Sequence, residues 1–142
     1  MTIRKVIFVV DDDPSMRTSM KRLLREHGFT ARLFGSARAL LDHSDFSDAL
    51  CIVLDVNLDD QSGIELRRRL TDRGVKTPVV YVTGNDSPAN RAAALQSGCI
   101  AYLTKPFAAT SLIESIERAG GTSTSLRTAW IPAVAASGRS AT

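Results

Sequence analysis

With 142 residues, 44% apolar and 23% charged, the chain is long enough for one hydrophobic core, too short for two ordinary domains and too apolar for a disordered segment. Its formal charge of +3 is a poor guide to partners, because Arg127 and Arg139 lie in an acid-free C-terminal stretch and leave the rest near neutral. That slight excess, without aromatics among the basic residues, gives no ground for nucleic-acid binding by the folded part.

Five short apolar runs alternate with amphipathic segments, the pattern of parallel strands covered by helices on both faces, so the architecture reads as a doubly wound (βα)5 fold of the α/β class. The first run, Val6–Val10, is shorter than the apolar region of a secretory signal and ends in Asp11-Asp12-Asp13; a cytoplasmic chain is expected, with no membrane span. Pro14 then opens a helix where its missing N–H costs nothing. Met16, Met20, Leu23 and Leu24 give that helix one apolar stripe, and Gly28 gives it a stop. The second strand, Thr30–Phe34, is partly polar, and Ser36 precedes its helix. The third, Cys51–Asp55, ends on a carboxylate, after which Ser62 and Glu65 have capping-box spacing ahead of Ile64, Leu66 and Leu70.

Val79–Thr83 is the fourth strand, and Ser87 and Pro88 start the fourth helix. Its Ala89, Ala92, Ala93 and Leu95 offer the core a thin face, which makes it the natural mobile element. Ile100–Thr104 is the fifth strand; Leu112, Ile113 and Ile116 mark the last helix, closing near Gly120 and Gly121. Residues 1–120 are thus expected to form the domain. Ser, Thr, Ala and Gly dominate 121–142, a tail or truncated linker in which Trp130 could be a stray residue, a packing contact or a partner anchor.

Several residue types are read blandly. Cys51 and Cys99 lack metal or redox spacing and are expected as reduced core thiols. His27 and His43 have no ligand partner and are expected as solvent-facing helix ends. Arg67, Arg68 and Arg69 point around one helix and are expected on a solvated face.

Ligands of doubly wound sheets bind outside the carboxyl ends of the strands, where the winding reverses. Four strand ends here are chemically distinctive: Asp11-Asp12-Asp13, Asp55, Thr83 and Lys105-Pro106. Carboxylates brought together raise one another's pKa values unless a cation sits among them. Mg²⁺ prefers oxygen ligands and is commonly held by a few carboxylates plus a phosphate oxygen, which suits Asp11, Asp12 and Asp55. A carboxylate nucleophile can form an acyl phosphate, steadied by the metal, the Lys105 ammonium and the Thr83 hydroxyl.

VVDDDP, VLDVNLDDQSG, YVTG and YLTKPF stand in the order and spacing of two-component response regulators, and residues 6–119 resemble their receiver domains, in particular those of nitrogen-fixation regulators. The resemblance implies a flavodoxin-like sheet of order 2-1-3-4-5. It makes Asp55 the phosphoacceptor, Asp11 and Asp12 the acidic pair, and Asn57 a metal contact through its backbone carbonyl. Thr83 becomes the switch hydroxyl, Lys105 the phosphate-binding lysine and Tyr102 the aromatic that turns upon phosphorylation, while Lys105-Pro106 falls where a cis peptide is common.

The implied donor is a histidine kinase or histidine phosphotransfer protein, with Arg17, Lys21 and Arg25 beside the docking position. The implied output is a face of helix four, strand five and helix five that binds a downstream protein or drives homodimerisation. Catalysis is confined to the chain's own phosphorylation and dephosphorylation. Asp59 replaces a frequent proline, which leaves loop rigidity open, and Asp60 adds a second charge, either hindering an anionic donor or simply solvated. Asn57 and Asn85 occupy two positions that influence phosphoryl lifetime.

A rival reading is a phosphatase of the haloacid-dehalogenase class, because Asp11-Asp12-Asp13-Pro14-Ser15 fits its first motif with Asp11 as nucleophile. That class needs an acidic pair after its lysine, where only Glu114 and Glu117 follow, and it leaves Asp55 without a role. A receiver serving as an unphosphorylated scaffold is a third reading.

Overall fold

β-Branched and aromatic residues form the strands where the sequence concentrates them, and the connections between strands are long enough for helical crossovers. The structure, a computed structural model, describes residues 5–120. The elements run β1 (Val6–Val10), α1 (Pro14–Glu26), β2 (Thr30–Phe34), α2 (Ala37–Asp42) and β3 (Ala49–Asp55). They continue with α3 (Gly63–Asp72), β4 (Val79–Thr83), α4 (Pro88–Gln96), β5 (Ala101–Thr104) and α5 (Ala109–Ala119). All strand pairs are parallel, in the order β2-β1-β3-β4-β5. The expected tail, Trp130 included, lies outside the described residues.

Side chains alternate across each strand and so divide the core in two. Ile7 and Val9 face Met20, Leu24, Leu112 and Ile116 from α1 and α5. Phe8 and Val10 face Leu40, Leu66, Leu70 and Ala94 from α2, α3 and α4. Fully burying such a side chain stabilises the fold by about 1.5–3 kcal/mol, and strands apolar on both faces can lie only in the middle of this sandwich. The winding reverses between β1 and β3, which brings Asp11 and Asp55 to neighbouring strand ends.

α1 begins with Asp13 accepting from the Ser15 amide and ends with Gly28 at φ 88, a left-handed turn that lets the Phe29 amide reach the Leu24 carbonyl. Elsewhere the structure corrects local expectations. β3 starts two residues before Cys51, and β5 starts at Ala101 rather than Ile100. Ser62 caps the Ile64 amide, but Glu65 does not complete the box, because Arg68 one turn on draws its carboxylate to 2.6 Å.

α4 is rotated relative to its expected face. Ala94 is its only fully buried residue, Ala89 and Ala92 are exposed, and Leu95 is 53% exposed. The reason lies beneath it: the phenol of fully buried Tyr81 shares a 2.7 Å hydrogen bond with the Ser97 hydroxyl, which turns the Asn90–Ala94–Ser97 side towards the sheet.

His43 is not solvent-facing. It is half-buried and its ring packs edge-on against Phe8, Phe34 and Phe46 at centroid separations of 5.3–5.9 Å. The six-residue α2 ends there, and extended backbone at His43 turns the ring into an aromatic cluster over β1 and β2. Arg67 also leaves the solvated face: it donates to the Thr77 and Gly98 carbonyls at 3.2 and 3.4 Å, tying α3 to the segments that enter β4 and β5. Cys51 and Cys99 are free thiols, fully and half-buried, and burial pushes the Cys51 thiol up to about 12.

Candidate functional site

The strand ends meet as a cup of carboxylates. Asp11 follows β1 and Asp55 closes β3; both are buried, at 1% and 5% exposure. Asp11, Asp12 and Asp55 each offer one oxygen to a group lying within 4.8 Å. Lys105, just after β5, places its Nζ 3.0 Å from Asp11 Oδ2 and 3.3 Å from Asp55 Oδ2, and the following Lys105-Pro106 peptide is cis.

Backbone donors fix these acids. The Asp13 amide donates to Asp11 Oδ1 and the Asn57 amide to Asp55 Oδ1, at 2.9 and 3.0 Å. Arg17 reaches back from α1 to donate to the Asp11 carbonyl at 2.7 Å, its guanidinium lying over Gly35. Gly63 donates to the Val56 carbonyl at 2.7 Å and packs against the Asp55 carbonyl, where a Cβ would collide.

Burial raises the Asp55 carboxyl above its ordinary value; the Asn57 amide and Lys105 oppose this without cancelling it, and Asp11 adds to it. Burial alone would lower the Lys105 ammonium, but Asp11 and Asp55 outweigh it and hold the group above the usual lysine value. One ammonium thus faces three carboxylates. An all-oxygen donor set with this excess of negative charge fits a hard divalent cation such as Mg²⁺, with Asp11, Asp12 and Asp55 as ligands.

Asn57 and Thr83 adjoin the cup. Thr83 is fully buried; its hydroxyl donates to the Asn57 side-chain oxygen at 2.9 Å and accepts from the Asn85 amide at 3.0 Å. Tyr102 stands apart on edge strand β5, opposite Tyr81 rather than Thr83. Its hydroxyl donates to Asp86 Oδ1 at 3.0 Å, Arg91 donates to Asp86 Oδ2 at 2.8 Å, and the Arg91 guanidinium lies 4.8 Å from the Tyr102 ring centroid.

The sequence did not single out Asp86 and Arg91, because an ion pair between the residue before a helix cap and the helix's first turns does not have the i,i+3 or i,i+4 spacing that marks helical pairs. Asp59 was noticed for replacing a proline and Asp60 for its charge. Asp59 stands beside Asp12, and this acidic neighbour, more than burial or Asp60, raises its carboxyl above the ordinary value. Asp60 points elsewhere: it accepts from the Ala37 and Arg38 amides at 3.2 and 3.0 Å and is not merely solvated. Glu114 and Glu117, which the phosphatase reading would need, are exposed on α5 and absent from the carboxylate cluster.

Residues 7–117 match the family model described as the response regulator receiver domain. Nodulation protein W of Bradyrhizobium diazoefficiens is 33% identical over 113 residues, covering 80% of this chain and 50% of that protein. Transcriptional regulatory protein FixJ of the same organism is 35% identical over 119 residues, covering 84% and 58%. The chain spans about half the length of the curated relatives it matches. Among solved structures, the N-terminal part of FixJ superimposes with a TM-score of 0.74 at 31% identity, covering 85% of this chain and 95% of that one. A CheY-like receiver domain from Methanospirillum hungatei JF-1 gives 0.77 at 27% identity, covering 85% and 96%.

Proposed function

The chain belongs to the response regulator receiver domain family, and from that premise we propose that it is a switch in which Asp55 accepts a phosphoryl group with the help of Mg²⁺. The single observation that carries this reading is the placement of Lys105 Nζ at 3.0 and 3.3 Å from Asp11 and Asp55 beside the three-carboxylate group.

Asp11, Asp12, Asp55 and the Asn57 carbonyl would hold Mg²⁺, which neutralises charge on the phosphoryl oxygens during transfer. Asp55 Oδ2, the oxygen Lys105 now holds, attacks the phosphorus of a phosphohistidine protonated on its other ring nitrogen; the new O–P bond forms as the N–P bond breaks and neutral imidazole leaves. The Asn57 amide orients the attacking carboxylate by holding its other oxygen. Lys105 is already placed to pass from the carboxylates to a phosphoryl oxygen, and Thr83 would turn its hydroxyl from Asn57 to another. Hydrolysis returns Asp55 to a free carboxylate, so the chain is a switch whose only turnover is at its own side chain.

The donor in this reading is a histidine kinase or histidine phosphotransfer protein, reached in a cytoplasmic setting. Thr83 and Tyr102 pass the change to the face of α4, β5 and α5, where exposed Leu95 and the loosely buried α4 would meet a downstream protein or a second copy. Residues 1–120 make up the switch and 121–142 a tail or linker.

The test is intact-mass measurement after incubation with Mg²⁺ and a small acyl phosphate. One phosphoryl adduct is expected on the parent and on none of Asp55→Asn. An adduct that survives Asp55→Asn but disappears in Asp11→Asn would replace this reading with the dehalogenase-type phosphatase; absence of any adduct would leave a binding scaffold.

A further inference from the structure

We propose that Asp60 is a positioning residue for the metal-binding loop, holding Asn57 and its neighbours by grasping the start of α2; the inference rests on the reading of Asp11, Asp12, Asp55 and Asn57 as a Mg²⁺ site. The loop between β3 and α3 is fastened at its ends. Asn57 and Ser62 pair across it, and the Gly63 amide binds the Val56 carbonyl. Between these points Leu58 is buried, while Asp59 leaves a backbone without the stiffness that proline gives.

Asp60 supplies the missing constraint. Its two oxygens accept separately from the consecutive amides of Ala37 and Arg38, whereas Ser36 caps only the next amide, Ala39. Ser36 is engaged with Ala39, so the Ala37 and Arg38 amides take their acceptor from the loop, and the loop and α2 satisfy each other's polar groups. Bonds from backbone amides to a carboxylate are charge-assisted, and 22 residues of chain separate Asp60 from Arg38. The attachment therefore fixes the loop against a distant element rather than against itself. Three residues upstream is Asn57, whose carbonyl must point into the cup and whose amide orients Asp55.

The experiment follows Mg²⁺ titrations of the ¹⁵N-labelled chain through the amide shifts of Asp12 and Asn57, which need no phosphorylation. Asp60→Ala is expected to raise the half-saturating Mg²⁺ about tenfold and Asp60→Asn about threefold, since Asn keeps one acceptor. Both substitutions lose the same charge, so equal weakening would assign the effect to electrostatics and overturn the proposal. Ser36→Ala removes the local cap of α2 without touching the loop; it is expected to lower the melting temperature yet leave Mg²⁺ affinity unchanged. Weakening of Mg²⁺ binding by Ser36→Ala to the same extent as Asp60→Ala would also overturn it, as would parental affinity in Asp60→Ala. A parent whose Asp12 and Asn57 amides ignore Mg²⁺ would instead overturn the metal-site reading on which the proposal stands.

Discussion

The Thr83 hydroxyl donates its proton to the side-chain oxygen of Asn57, 2.9 Å away on the loop after the neighbouring strand. A hydroxyl so engaged, and already accepting from the Asn85 amide, must give up Asn57 before it can bind a phosphoryl oxygen. Asn57 thus competes through its side chain for the Thr83 hydroxyl, apart from any role of its carbonyl.

Asn57→Ala leaves the backbone carbonyl in place and removes that competitor. A hydrogen bond of this type contributes about 1 kcal/mol net, so beryllofluoride with Mg²⁺ is expected to bind the variant roughly fivefold more tightly than the parent, as measured by titration calorimetry. Unchanged or weaker binding would show that Asn57 does not restrain Thr83.

Gly63 is required by space, not by its backbone angles. A Cβ there would run into the Asp55 carbonyl and lie 3.1 Å from the Val56 Cα, and backbone atoms cannot yield as a flexible side chain would. Gly63→Ala should cost about 1–3 kcal/mol, the usual range for overpacking, read from urea midpoints. Because the atom it displaces belongs to Asp55 itself, labelling by acyl phosphate should slow as well. A variant as stable as the parent would contradict the clash.

Burial, then hydrogen bonding to the Asp86 carboxylate and its charge, push the Tyr102 phenol up to about 12, against about 10 in an unfolded chain. The folded state therefore holds this proton more tightly, and stability present below pH of about 10 should be lost as pH rises towards about 12. Tyr102→Phe carries no such proton, so its urea midpoint should fall less than the parent's between pH of about 10 and 12. Parallel curves for the two proteins would refute the assignment to Tyr102.

Much of the architecture was legible because its signals are local. Runs such as Val6–Val10 and Val79–Thr83 are apolar on both faces, which only a strand between two helical layers can satisfy, and their ends exposed Asp11, Asp55, Thr83 and Lys105 as a set. The same local reasoning failed for α4, where small alanines give no preferred face and a single bond from Tyr81 to Ser97 decides the rotation. It failed for His43 too, because nothing in the spacing told of three phenylalanine rings arriving from other segments.

By itself, then, the amino-acid order determined five strands, five helices and which acids and lysine stand at strand ends, since alternation and turn chemistry act over a few residues. Only the tertiary structure decided which of these groups are engaged and with whom: Thr83 with Asn57, Tyr102 with Asp86 and Arg91, Asp60 with the start of α2. Such bonds depend on distances of a few ångströms between loops far apart in the chain. Those distances are set by how two apolar layers close on one sheet.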